Sequence, residues 1–100
     1  MQKKWEAGLS KYRIFETDQF LSDIESLPKK NKLTITNKIR AYTYKQLIDN
    51  PYYGINIKKL KDYKPETWRY RIGNYRLFYE IDDAAKIIFI ISLDSRKDAY

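Results

Sequence analysis

TWRYRIGNYRLFYEID, residues 67–82, is the stretch on which the reading of this chain turns. Trp68, Tyr70 and Ile72 alternate with Arg69 and Arg71, as a half-buried strand requires. Gly73-Asn74 then predicts a two-residue hairpin turn, because Gly supplies the positive φ that primed turns need. Tyr75 to Ile81 (YRLFYEI) is the returning strand. So short a loop sets the pairing: Ile72 opposes Tyr75, Arg71 opposes Arg76, and Arg69 opposes Phe78.

Working outward, Asp82 to Ala85 reads as a second turn. Lys86 to Leu93 (KIIFIISL) is almost continuously apolar, which predicts a strand inside the sheet and buried on both faces. Upstream, Tyr12 to Glu16 (YRIFE) alternates as a short strand before an Asp that can cap a helix. Phe20, Leu21, Ile24 and Leu27 form one stripe of an amphipathic helix stopped by Pro28. A second helix from about Lys30 carries Ile35, Ile39, Tyr42 and Leu47 on its apolar side and ends at Asn50-Pro51. The expected fold class is α+β in the order β-α-α-β-β-β, a largely antiparallel sheet with a two-helix hairpin on one face. Residues 1–100 are expected to form one domain, with 1–10 a loose arm.

Composition narrows the chemistry. The 100 residues carry 20 Lys plus Arg against 13 Asp plus Glu, a net charge of +7 that favours an anionic partner such as nucleic acid. There is no Cys and no His, which removes disulfides, thiolate zinc sites, cysteine nucleophiles and the commonest general base at neutral pH. No run approaches the ~18 apolar residues of a membrane span and no apolar signal segment opens the chain, so a cytoplasmic protein without a membrane partner is expected.

The hairpin register puts Arg69, Arg71 and Arg76 on one face. Like charges directly opposite destabilise a strand pair, and an anion between Arg71 and Arg76 removes the repulsion. Guanidinium groups keep their protons at neutral pH and fork onto phosphate oxygens, so the cluster fits an RNA or DNA backbone. The alternative is a solvated basic face, partly neutralised by Glu80 on the same face and diagonal to Arg69. Lys58 to Arg76 holds seven basic residues against two acidic ones. Lys58, Lys59, Lys61 and Lys64 are therefore expected RNA contacts. Trp68, Tyr70 and Tyr75 fall on the buried face by parity, whereas Phe78, on the arginine face, is a candidate for stacking on a base. Lys29, Lys30 and Lys32 read as a solvated helix start.

KKLKDY (58–63), WRYRIGNYRLFYEID (68–82) and SRKDAY (95–100) resemble the RelE branch of the RelE/ParE toxin superfamily, over about residues 12–100. The resemblance implies a small basic toxin of a type II toxin–antitoxin module, a ribosome-dependent endoribonuclease that cuts mRNA in the ribosomal A site against rRNA, held in check by a cognate antitoxin. It implies catalytic roles for Arg69, Arg71, Arg76, Arg96 and Tyr100, with Lys97 an additional RNA contact. The 2′-OH attacks the adjacent phosphate, and the arginines stabilise the phosphorane-like state without metal or small-molecule cofactor. Ser95 stands where many relatives have His, and Arg71 where some have Lys. The usual proton acceptors are thus missing, so cleavage is expected to depend mainly on in-line positioning and electrostatic stabilisation, with Glu80 as a possible base. Two alternatives stay open: a non-enzymatic ParE-type inhibitor of DNA gyrase, and an inactive RNA-binding homologue.

Overall fold

In the computed structural model, which describes residues 11–95, five strands form one mixed sheet in the order β1-β5-β4-β3-β2. They are β1 (Arg13–Glu16), β2 (Ile57–Lys59), β3 (Trp68–Ile72), β4 (Tyr75–Asp82) and β5 (Ile87–Ser95). Between β1 and β2 the chain makes α1 (Asp18–Glu25), α2 (Lys29–Lys38), a π turn (Ile39–Thr43) and α3 (Tyr44–Asp49). The α+β class, the helical layer on one face and the antiparallel order of the last three strands match expectation. The three-residue β2 is additional: Lys58 and Lys59 offer no apolar alternation, and the strand forms because the edge of β3 supplies its partners. β1 runs parallel to β5, with Ile14 beside Ile88 and Phe15 beside Phe89.

Helix α1 is capped by Thr17 rather than by Asp18. The Thr17 hydroxyl accepts the Phe20 amide at 3.3 Å as an N-cap and donates to the Ile90 carbonyl at 2.7 Å, so one side chain joins the helix start to β5. Phe20 and Ile24 are buried and Leu27 packs beside them, while Leu21 lies at the margin of the stripe, 40% exposed. In the second helical segment the π turn inserts one extra residue into the helical repeat, and the buried positions become Ile39, Thr43, Tyr44 and Leu47. Tyr42, expected inside, is 71% exposed for this reason.

The expectation that the last strand is buried on both faces is also corrected. Ile88, Ile90 and Leu93 are buried against the helices, but Ile87, Phe89 and Ile91 are only half-buried. Phe78 pairs with Ser92 and Tyr79 with Ile90, so Ile91 is the extra residue of a β-bulge that keeps Leu93 on the core side. The Asp23 carboxylate of α1 accepts the Leu93 amide just past the bulge, at 2.9 Å. Beneath the sheet, Tyr79 is fully buried and its hydroxyl donates to the Pro51 carbonyl at 2.7 Å. Burial pushes that phenol up, so it remains a donor.

A clamp fastens β1 to the helices. Arg40 donates through Nε and Nη2 to the two oxygens of Glu16, at 3.0 and 2.8 Å, and the Tyr44 hydroxyl donates to the same carboxylate at 2.7 Å. Burial alone raises the Glu16 value, but the hydrogen bonds from Arg40 and Tyr44 and the Arg40 charge outweigh it and leave the carboxyl below its ordinary range. A depressed carboxyl stabilises the fold above its unfolded value and ceases to do so as the pH falls through the folded one. Glu16→Gln should therefore cost about 1 kcal/mol near pH 7, where Arg40 is partly screened by water. Urea melts of both proteins should converge as the pH drops below the ordinary glutamate value of about 4.3. A gap that stays constant from pH 7 to 3 would show that the carboxylate charge is not what matters.

Candidate nucleic-acid interface

The face of the sheet turned away from the helices is built by strand parity. Tyr70, Ile72, Leu77 and Tyr79 are buried on the core side, which leaves Arg69, Arg71, Arg76, Phe78 and Glu80 on the other. The register is as expected: Arg71 opposes Arg76, Arg69 opposes Phe78, and Ile72 opposes Tyr75, with Gly73 at φ +56° in the turn. The sheet extends these pairs into rows. Lys58, Arg69, Phe78 and Ser92 form one row across four strands, and Arg71, Arg76 and Asp94 form the next. Four cations from three neighbouring strands thus share a patch about 10 Å across and ~7 Å along the strands, the rise of about two stacked nucleotides. Arg71 and Lys58 are exposed, whereas Arg69 and Arg76 are half-buried, which holds their guanidinium planes before a ligand arrives.

Asp94 is the residue that reading along the chain missed. It stands directly across from Arg76, so a carboxylate already offsets part of the Arg71–Arg76 repulsion. Its position depends on the bulge at Ile91, which simple alternation along β5 does not reveal. Glu80 lies two residues beyond Phe78 on the same face and pairs with Phe89. Phe89 in turn contacts Phe15 with ring centroids 5.5 Å apart, an apolar corner next to the basic rows.

The other expected contacts are distributed unevenly. Lys58 joins the arginine face, but Lys59 belongs to the opposite side of β2: its ammonium pairs with Glu66 at 3.1 Å and lies 5.9 Å from the centre of the Trp68 ring. Lys61 and Lys64 sit in the exposed loop between β2 and β3, which is closed by the Leu60 amide donating to the Thr67 carbonyl at 2.9 Å. Arg96, Lys97 and Tyr100 lie outside the described residues. The last described residue, Ser95, pairs with Tyr75, one register step beyond the Arg76–Asp94 pair. Among the described residues no three His, Cys, Asp or Glu side chains come together as a metal ion requires. The open face offers forked donors for a phosphodiester, fixed positive charge for an oxyanion and, at its margin, carboxylates.

The fold agrees with what the chain is similar to. Residues 11–100 match the family described as ParE toxin of type II toxin-antitoxin system, parDE. The chain therefore belongs to the RelE/ParE superfamily of toxins, and the RelE-like resemblance of its hairpin holds at the level of the fold. It is similar to a chain of the RelBE2 toxin–antitoxin complex of Mycobacterium tuberculosis, with 25% identity, TM-score 0.65, and 86% of this chain and 99% of that one covered. The archaeal RelE–RelB complex of Pyrococcus horikoshii gives 26% identity and TM-score 0.58, covering 85% and 94%. The intact RelBE complex of E. coli, at 20% identity and TM-score 0.60, covering 84% and 95%, shares the fold. Comparison with curated protein sequences gives no match.

Proposed function

We propose that this toxin is a cytoplasmic, ribosome-dependent endoribonuclease that cuts mRNA in the ribosomal A site, and that a cognate antitoxin neutralises it by covering the basic face. The observation that carries this reading is the convergence of Arg69, Arg71, Arg76 and Lys58 on one open face, from strands whose opposite sides form the core. Similarity to chains solved as RelBE and RelE–RelB complexes supports an antitoxin partner. A net charge of +7 favours an acidic one. The 2′-oxygen of a nucleotide attacks its own 3′-phosphorus, the bond to the 5′-oxygen of the next nucleotide breaks, and the products are a 2′,3′-cyclic phosphate and a 5′-hydroxyl. Arg69, Arg71 and Arg76 bind the phosphate in line and stabilise its added charge. Glu80 is the proton acceptor on the same face, and Arg96 and Tyr100 complete the assignment by their place in the superfamily pattern, with Tyr100 protonating the leaving oxygen.

The family description favours a second reading, because it names the parDE type. On that reading the arginines are contacts with DNA gyrase and no bond is cut. Expression of the chain in bacteria without antitoxin separates the two. Primer extension on transcripts from arrested cells should show new 5′ ends within reading frames, with no DNA-damage response. Intact transcripts together with induced DNA damage would establish the gyrase reading, and unaffected growth at high levels of the protein would exclude both.

A further inference from the structure

The basic surface does not stop at the edge of the sheet. Ahead of Ile57 the strand β2 no longer pairs with β3, and the Arg71 amide is held by the Asn56 carbonyl at 3.0 Å. At this edge, on the helix side, lies a groove of about 160 Å³ whose walls include Arg71, Gly73 and, from the helical layer, Lys38 and Tyr42. The groove continues between α2 and the hairpin tip as a cleft of about 440 Å³, bordered by Lys30, Lys38, Asn74 and Tyr75. Lys30 and Lys38 are eight residues apart, on one side of α2 and about 12 Å from each other. Neither they nor Arg71 belongs to an ion pair among the described residues. Tyr42, turned outward by the π turn and 71% exposed, makes no ring contact or hydrogen bond among the described residues. Three cations and an uncommitted aromatic ring thus line two adjoining clefts that reach Arg71 at the edge of the sheet.

We infer that this groove holds the single-stranded RNA that runs off the arginine face, with Lys30 and Lys38 on successive parts of its backbone and the Tyr42 ring stacked on a base. The inference rests on the RNA-cleaving reading and adds a second stretch of binding site to it. A ligand that carries both phosphates and planar faces uses all four side chains, whereas an acidic polypeptide uses only the cations. Stacking accepts any base, so the groove contributes affinity and direction of the strand rather than sequence choice.

The test is binding of a fluorescent 2′-O-methyl RNA hexanucleotide, which cannot be cleaved, to the purified chain over a range of salt. Tyr42→Ala should weaken binding about 5- to 100-fold and Tyr42→Phe should restore it, since the ring and not the hydroxyl stacks. The double variant K30Q/K38Q should flatten the slope of log affinity against log salt by about 1.4, the loss of two single-strand phosphate contacts. Arg76→Gln, outside the groove, reports on the arginine face alone. If Arg76→Gln loses binding while the groove variants bind as the unaltered chain does, the groove proposal falls and the RNA reading stands. If no variant loses binding, both fall. Equal weakening by Tyr42→Ala and Tyr42→Phe, or parallel loss of poly-glutamate binding in Tyr42→Ala, would reduce the groove to a general anion site and overturn the stacking role.

Discussion

Arg76→Ala should abolish growth arrest and slow single-turnover cleavage on programmed ribosomes by about 10²- to 10³-fold, the cost of removing one preorganised stabiliser of transition-state charge. The fold should survive. Arg76 projects from the face opposite the helices, flanked along β4 by Tyr75 and Leu77 on the core side, and faces Arg71 across the hairpin. Removing it relieves one repulsion from exposed Arg71 and gives up the neighbouring, exposed Asp94, two screened effects of similar size and opposite sign. The thermal midpoint should therefore stay within about 4 °C, equivalent to under 1 kcal/mol in a domain of this size. Retained arrest would remove Arg76 from the mechanism, and an unfolded variant would make it a structural residue.

Phe20→Ala should produce the same loss of arrest by the opposite route. Phe20 is fully buried in the layer where α1 lies on β5. Truncating a buried Phe costs about 3–5 kcal/mol, against the ~5–15 kcal/mol that holds a typical domain together. The thermal midpoint should fall by roughly 15–30 °C, and soluble protein in cells should fall with it. Phe20→Leu, which keeps most of the volume, should recover most of both. A Phe20→Ala protein with an unchanged midpoint would mean that α1 contributes little to the core, contrary to the burial of Phe20 and Ile24 beside Ile88 and Ile90. Measured together, the two variants separate loss of chemistry from loss of fold in a single growth assay.

The candidate site was legible where its geometry is local. Arg69, Arg71, Arg76 and Phe78 lie within ten residues joined by a two-residue turn, and alternation plus the positive φ of Gly73 settles their facing without reference to the rest of the chain. Lys59 shows the limit of composition. Counted as one of a basic run, it is separated from Lys58 by the side-to-side alternation of β2, a strand that exists only because β3 is there to pair with it. Tyr42 shows the limit of periodicity, because one inserted residue in the π turn exchanges it for Thr43 and Tyr44 in the core.

By itself the sequence determined the α+β class, the helical hairpin, the central β-hairpin with its register, the basic charge of its open face and the absence of cysteine and histidine chemistry. All of these follow from nearest-neighbour periodicity, turn chemistry or composition. Only the tertiary structure decided that β1 pairs parallel to β5, that a bulge at Ile91 brings Asp94 opposite Arg76, and that Arg71 and Tyr42 border one groove beside α2. Those features join residues tens of positions apart, and their geometry is set by how helices and strands pack on one another, which no local pattern encodes.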